Sequence, residues 1–262
     1  MQVRSELKSA AGVSVPALGL GTWKMKGEEC KQTVRKAIEV GYRHVDTAVF
    51  YENEEQVGEA IGSFDREDLF VTTKIWKDKL GYEDFKRETE ASLKRLKTDY
   101  VDLVLIHWPN PEIPLEETIK AMNELVEEDK TRHIGVSNFS VQQLDEARSL
   151  SEHPIITDQV KYHAGMDRSE LLNYCQAKDV LLTGYSPLGQ GKLLDNDLLN
   201  RLASEYGKTP AQLGLKWLVS QEKVIAIPKA SSEDHLKENL NLFDWELRDE
   251  DVHKLGELVI ET

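Results

Sequence analysis

The stretch VDLVLIHWPNP (residues 101–111) begins as a strand buried on both faces and ends on a histidine, a tryptophan and a proline. Core strands usually stop at turn residues. This one stops at His107, whose imidazole can donate a proton or a hydrogen bond. The runs ALGLG (17–21), RHVDTA (43–48), DLFVTTK (68–74), HIGVSNF (133–139), IITDQVKY (155–162), VLLTGYSP (180–187) and KVIAIPKA (223–230) resemble it in composition. Each is followed by a stretch of helical periodicity, at 28–40, 53–62, 84–96, 115–128, 141–150, 169–178, 198–219 (broken near 207–210), 232–239 and 249–258. Strands alternating with helices mean βαβ units and a parallel sheet. Eight right-handed crossovers close a (β/α)8 TIM barrel, and 262 residues suit that fold as one domain over 1–262. SELKSAAGVSVPAL (5–18), with its Gly12 turn, reads as a β-hairpin closing the bottom. An open doubly wound sheet would want a glycine-rich turn after the first strand. GLGTWK (19–24) has G-x-G but neither the third glycine nor the following acid.

Composition sets limits. The chain is 40% hydrophobic and 31% charged, with a net charge of −14. An acidic surface argues against nonspecific nucleic-acid binding and against an anionic membrane. Cys30 and Cys175 form no paired framework, the N-terminus lacks a signal-peptide core, and no apolar run is long enough to span a bilayer. A cytoplasmic monomer without a metal is the expectation.

In a barrel the site is built where strands end at the C-terminal face. The second strand ends at Asp46 with Tyr51 in the loop beyond, the third at Lys74, the fourth at His107. Singly, each has an ordinary explanation: a cap, a loop tyrosine, a surface lysine, a structural histidine. Together they place an acid, a phenol, a cation and an imidazole on adjacent strand ends. Lysine beside a phenol stabilises the phenolate and is expected to lower its pKa; the aspartate holds the lysine; the imidazole can hold a carbonyl oxygen. The set suits protonation of an oxyanion formed when hydride reaches a carbonyl carbon, and a hydride source requires a nicotinamide cofactor.

With GYRHVDTAVFYENEEQVGEAI (41–61), LIHWP (105–109), IGVSNF (134–139) and IPKASSEDHLKEN (227–239) in order, the whole chain resembles the aldo-keto reductase superfamily. The resemblance implies that Tyr51 is the general acid, that Lys74 and Asp46 tune it, and that His107 orients the substrate. It implies NADPH extended across the barrel mouth. Gly21, Thr22, Trp23 and Asp46 would border the nicotinamide; Ser137, Asn138 and Gln159 would bind its carboxamide; Tyr185 would stack on its ring. Ser186, Pro187, Leu188 and Gln190 would line the pyrophosphate path, and Lys229, Ser231, Ser232, His235, Glu238 and Asn239 the adenosine end. Trp23, Trp76 and Trp108 would join Tyr51 and His107 as substrate walls. The residues alone support one part of this: IPKASS is a strand end carrying a cation and hydroxyls at a helix start, a setting that favours phosphate.

The sequence also departs from the family. His235 stands where an arginine often clamps the 2′-phosphate, so NADH is expected to be accepted as well. DQVKYHAGM has Asp158 for the commoner asparagine, Lys161 for an acid and Ala164 for proline. Short loops and the lack of a long tail after the last helix predict an uncovered pocket and a broad range of small carbonyl substrates. Two other classes compete. One is a cofactor-binding regulatory or sensor barrel with little turnover. The other is a metal-dependent barrel hydrolase, which would need H-x-H near the first strand; that strand has none.

Overall fold

The structure, a computed structural model, describes residues 6–259. Residues 1–5 and 260–262 of the single expected domain, including Ser5 at the start of the expected hairpin, lie outside the description. Strands β1 (Leu7–Ala10) and β2 (Val13–Pro16) pair antiparallel. Their turn is Ala11–Gly12, both left-handed at φ 50° and 79°. Alanine is unfavourable there, and the turn is tied down. Asp179 accepts from the Ala11 N–H at 2.8 Å, and Lys223, paired with Asp179, donates to the Ser9 carbonyl at 2.5 Å.

Then follow eight parallel strands in spatial order of sequence: β3 (Leu20–Gly21), β4 (His44–Asp46), β5 (Phe70–Ile75), β6 (Val101–Ile106), β7 (Thr131–Ser137), β8 (Ile155–Lys161), β9 (Leu181–Tyr185) and β10 (Val224–Ile227). A parallel bridge from Leu18 to Ala226 and the Gly21 N–H bonded to the Pro228 carbonyl join first strand to last. Gly21 permits this approach: a Cβ there would lie 2.7 Å from the Ile227 carbonyl oxygen. The fold is the expected (β/α)8 barrel.

The helices are α1 (Gly27–Val40), α2 (Glu54–Ile61), α3 (Tyr82–Leu96), α4 (Leu115–Glu127), α5 (Val141–Leu150), α6 (Ser169–Ala177), α7 (Asp197–Tyr206), α8 (Pro210–Val219), α9 (Glu233–Leu240) and α10 (Asp249–Gly256). Their sequences explain them. In α3 the buried residues Phe85, Thr89, Ser92, Leu93 and Leu96 fall on one helical stripe. The break expected near 207–210 is a left-handed Gly207 ending α7, then a Thr209–Gln212 capping box with Pro210 in the first turn of α8.

The barrel floor is apolar. Ala10 and Val15 of the hairpin pack on Leu103, Leu105, Ile156, Leu181 and Ile225 inside the ring. Pairing of β7 with β8 shifts register between Ile134 and Val136, so the simple inside–outside alternation fails there. Ile156 joins the floor, Thr157 bonds Thr183 at 2.8 Å, and Gln159 reaches Asp46 across the interior. Asp158 consequently turns toward the helical layer.

Candidate active site

At the opposite end of the strands, a cleft of about 780 Å³ opens above the floor. Its base is a buried ion pair. Lys74, fully buried on β5, donates to Asp46 Oδ1 at 2.5 Å, to the Thr47 carbonyl at 2.9 Å and to Tyr51 Oη at 3.2 Å. An ammonium has three N–H directions, and all three are used, so its position is fixed. Asp46 Oδ2 accepts from Gln159 Nε2 at 2.8 Å, which satisfies the carboxylate's other oxygen. A short 3-10 turn, Val49–Tyr51, brings Tyr51 back over Lys74 and its phenol into the cleft.

The electrostatics differ from the sequence expectation in one respect. Burial raises the Tyr51 phenol; Lys74 lowers it and Asp46 raises it again, so the net direction is upward, not downward. The correction has a physical cause: the lysine's charge is shared with Asp46, and desolvation exceeds what remains. For Lys74 itself, desolvation pulls down while Asp46 and Tyr51 pull up, and the net direction is upward. The ammonium stays charged and the phenol stays protonated. Because Lys74 donates to Tyr51, the phenol's own proton is available to another acceptor.

His107 ends its strand at the cleft wall. Burial, then the Lys74 charge, lowers its pKa to about 3, so the ring is neutral. Its Nδ1 is buried without a partner. An unpaired lone pair costs less there than an unpaired N–H, which puts the proton on Nε2, toward the cleft. The ring meets Tyr51, Phe50 and Trp76 edge-on, at centroid distances of 5.7, 6.3 and 5.0 Å. Phe50 stacks on Trp76 at 4.1 Å. Trp23, Phe50 and Trp108 remain 40%, 53% and 41% exposed, large values for aromatic side chains.

The other wall is polar. Ser137 donates to the Gln159 carbonyl at 2.7 Å. Asn138, left-handed at φ 63°, donates to the His107 carbonyl and to Ser137 Oγ, both at 3.0 Å, and accepts from the Tyr185 hydroxyl at 3.0 Å. Ser186 and Gln190 are also left-handed. Such residues concentrate where the backbone is re-aimed for function. The cleft continues past Pro187 and Leu188 to Lys229, Ser231 and His235 at the N-terminus of α9.

The remaining sequence-predicted residues lie elsewhere. Thr22 is buried and donates to the Asp46 carbonyl. Ser232 caps α9 through the His235 N–H, Glu238 accepts from the Thr209 hydroxyl, and Asn239 is buried. None of these four lines the cleft. Sequence reasoning left out Lys24, Phe50, Lys161, Gly191, Leu194, Ile227, Pro228 and Ala230 as lining residues. Phe50 sits beside Tyr51 in one turn, and Lys161 follows Gln159 by two along a strand; both spacings were available signals. Among the described residues no group of three or more His, Cys, Asp or Glu is placed to hold a metal ion. Nor is any helix among the described residues long and apolar enough to cross a membrane.

Asp158 is fully buried. Burial pushes its carboxyl up to about 8; the Phe139 and Asn138 amides and Arg168 oppose the rise. Oδ1 accepts from the Phe139 N–H at 3.5 Å, and Oδ2 has no partner.

Residues 17–260 match the aldo/keto reductase family model. The glyoxal reductase of Bacillus subtilis is 40% identical over 259 residues, covering 98% of this chain and 93% of that protein. A thermostable aldo-keto reductase solved with the inhibitor epalrestat is 44% identical, with a TM-score of 0.91 over 96% of this chain and 98% of the other. A Bombyx mori aldo-keto reductase solved with NADP is 33% identical, with a TM-score of 0.89 over 97% of this chain and 92% of that one.

Proposed function

Because the chain belongs to the aldo/keto reductase family, a family of oxidoreductases, we propose that it reduces aldehydes and ketones to alcohols with NADPH, Tyr51 serving as general acid, and that one barrel domain over 1–262 carries this activity. The observation that carries the reading is the Asp46–Lys74–Tyr51 chain at the base of the cleft, beside a neutral His107.

The residues present suit the cofactor. Apart from Asp46, already paired with Lys74, the formally charged side chains lining the cleft among the described residues are Lys24, Lys161 and Lys229. In a chain of net charge −14 this is a local excess of cations, which favours an anionic dinucleotide. Lys229 and Ser231 at the start of α9 suit a phosphate. Ser137, Asn138 and Gln159 suit a carboxamide, and the Tyr185 ring suits an aromatic plane. When bound, NADPH supplies the hydride.

The chain's own residues do the rest. His107 Nε2–H holds the carbonyl oxygen of the substrate. As negative charge develops on that oxygen, Tyr51 gives up its proton to it. A phenol raised by burial still serves, because an alkoxide is far more basic than a phenolate. Lys74 stabilises the phenolate left behind, and Asp46 with Gln159 keeps Lys74 in place. Trp23, Phe50, Trp76 and Trp108 offer apolar walls. The exposure of Trp23, Phe50 and Trp108 supports a broad range of small carbonyl substrates over one tightly enclosed ligand. His235 offers no permanent bidentate clamp for a 2′-phosphate, which supports use of NADH beside NADPH.

One experiment tests these points: loss of nicotinamide absorbance with a panel of aldehydes and ketones, using NADPH and NADH, for wild type and Tyr51→Phe. Turnover with several substrates and both cofactors is expected. The variant should bind cofactor but lose on the order of 10²–10⁴ in kcat. Undiminished turnover in the variant would remove Tyr51 from its role. Cofactor binding without turnover in the wild type would favour the sensor reading.

A further inference from the structure

Asp158 has no part in the proposed chemistry, yet it is a carboxyl sealed from water with one oxygen unpartnered. Buried polar atoms are seldom left so. Its surroundings are few. From the end of β7 come the backbone N–H groups of Phe139 and Asn138; Arg168 stands before α6, Cys175 lies within α6, and Tyr185 ends β9. The buried residues of α5 are Leu144 and Ala147, and its Arg148 bears on Cys175. Among the described residues no hydrogen-bond partner meets Oδ2, and no cation forms an ion pair with the carboxyl.

We infer that Asp158 is a positioning residue for the nicotinamide end of the cleft, and that loss of its proton withdraws the Asn138–Phe139 turn from the geometry that captures cofactor. This rests on the cofactor reading above. The mechanism follows from the hydrogen bonds. The Asn138 N–H donates to the Gln159 carbonyl at 3.0 Å, while the neighbouring Phe139 N–H reaches Asp158 at only 3.5 Å. A neutral carboxyl makes no strong demand on either. A carboxylate in the same dry space needs donors, and these two amides are the ones at hand. Drawing them outward competes with Gln159. It also moves Asn138, whose side chain joins His107, Ser137 and Tyr185. Asparagine at 158 could not ionise, so the switch belongs to the aspartate.

Other groups nearby leave the window clear. Burial raises Tyr185 and Tyr51 and takes Cys175 up to about 12. The test is the Kd of NADPH, and separately of NADH, read by tryptophan fluorescence from about pH 7 to about pH 9.5. In wild type, Kd for both should rise about tenfold across that range, a typical coupling between linked sites. Asp158→Asn should hold the neutral-pH value throughout. A rise with both cofactors separates Asp158 from the 2′-phosphate end. Arg168→Gln provides a second arm should the first variant fold poorly: with the cation gone, the wild-type transition should move to higher pH. A flat wild-type profile, an equal rise in Asp158→Asn, or an unmoved transition in Arg168→Gln would each overturn the inference. Absence of cofactor binding at every pH would instead sink the cofactor reading, and this inference with it.

Discussion

The two ends of the barrel are made from the same strands and solve opposite problems. At the floor, Leu103, Ile156, Leu181 and Ile225 meet the hairpin's Ala10 and Val15, and burial of hydrocarbon is sufficient. At the mouth, Asp46, Lys74 and Gln159 are as deeply placed, and with the half-buried Tyr51 they must satisfy one another atom by atom. The floor tolerates imprecision, since dispersion and burial have no direction. The mouth does not, since a missing partner leaves a charge in a dry space. Stability and chemistry should therefore separate between the two ends, and substitutions can test that separation.

The largest effect is expected at the mouth. Lys74→Met leaves Asp46 with Gln159 alone and should cost about 3–5 kcal/mol, together with nearly all turnover. Adding Asp46→Asn should recover part of the stability and none of the activity. Chemical denaturation beside a turnover assay decides this; an undiminished midpoint for Lys74→Met would mean that the pair contributes nothing to the fold. Next comes the floor. Leu181→Ala should cost about 3 kcal/mol by transfer and cavity, with kcat kept. A kcat that fell with stability would join the two ends that the comparison separates. The smallest effect is a pH slope. His44, buried on β4 beside Phe70, is lowered to about 4 by burial, with Asp46 opposing and Lys74 assisting. Its folded pKa lies below its unfolded one, so its contribution is intact above about pH 6.5 and is lost as pH falls toward 4. Between about pH 6.5 and 5 this amounts to about 2 kcal/mol, and His44→Gln should remove it. Equal acid slopes in the two proteins would clear His44 of the effect.

The barrel and the base of the cleft were legible in the sequence because both depend on position along a strand. Apolar runs gave the eight strands, and polar residues just past them gave Asp46, Tyr51, Lys74 and His107. Elsewhere the signal lay in pairing. The register shift between β7 and β8 puts Ile156, Thr157 and Gln159 toward the interior and Asp158 outward, which strict alternation along one strand does not foretell. The engagement of Glu238 with Thr209 depends on how α9 meets α8, with the two residues 29 apart in no regular pattern. The upward direction of Tyr51 was missed for another reason: a residue list shows that a lysine is near, but not how much of its charge an aspartate shares or how little water remains.

The hairpin latch has a consequence for biosynthesis. The hairpin leaves the ribosome before any of the eight barrel strands, but its clasps, Asp179 and Lys223, lie 168 and 214 residues from the Ala11 and Ser9 that they hold. Contacts of such separation form late. A growing chain therefore keeps an open bottom until Lys223 and β10 are made, and the plug is seated only as the ring of strands is completed.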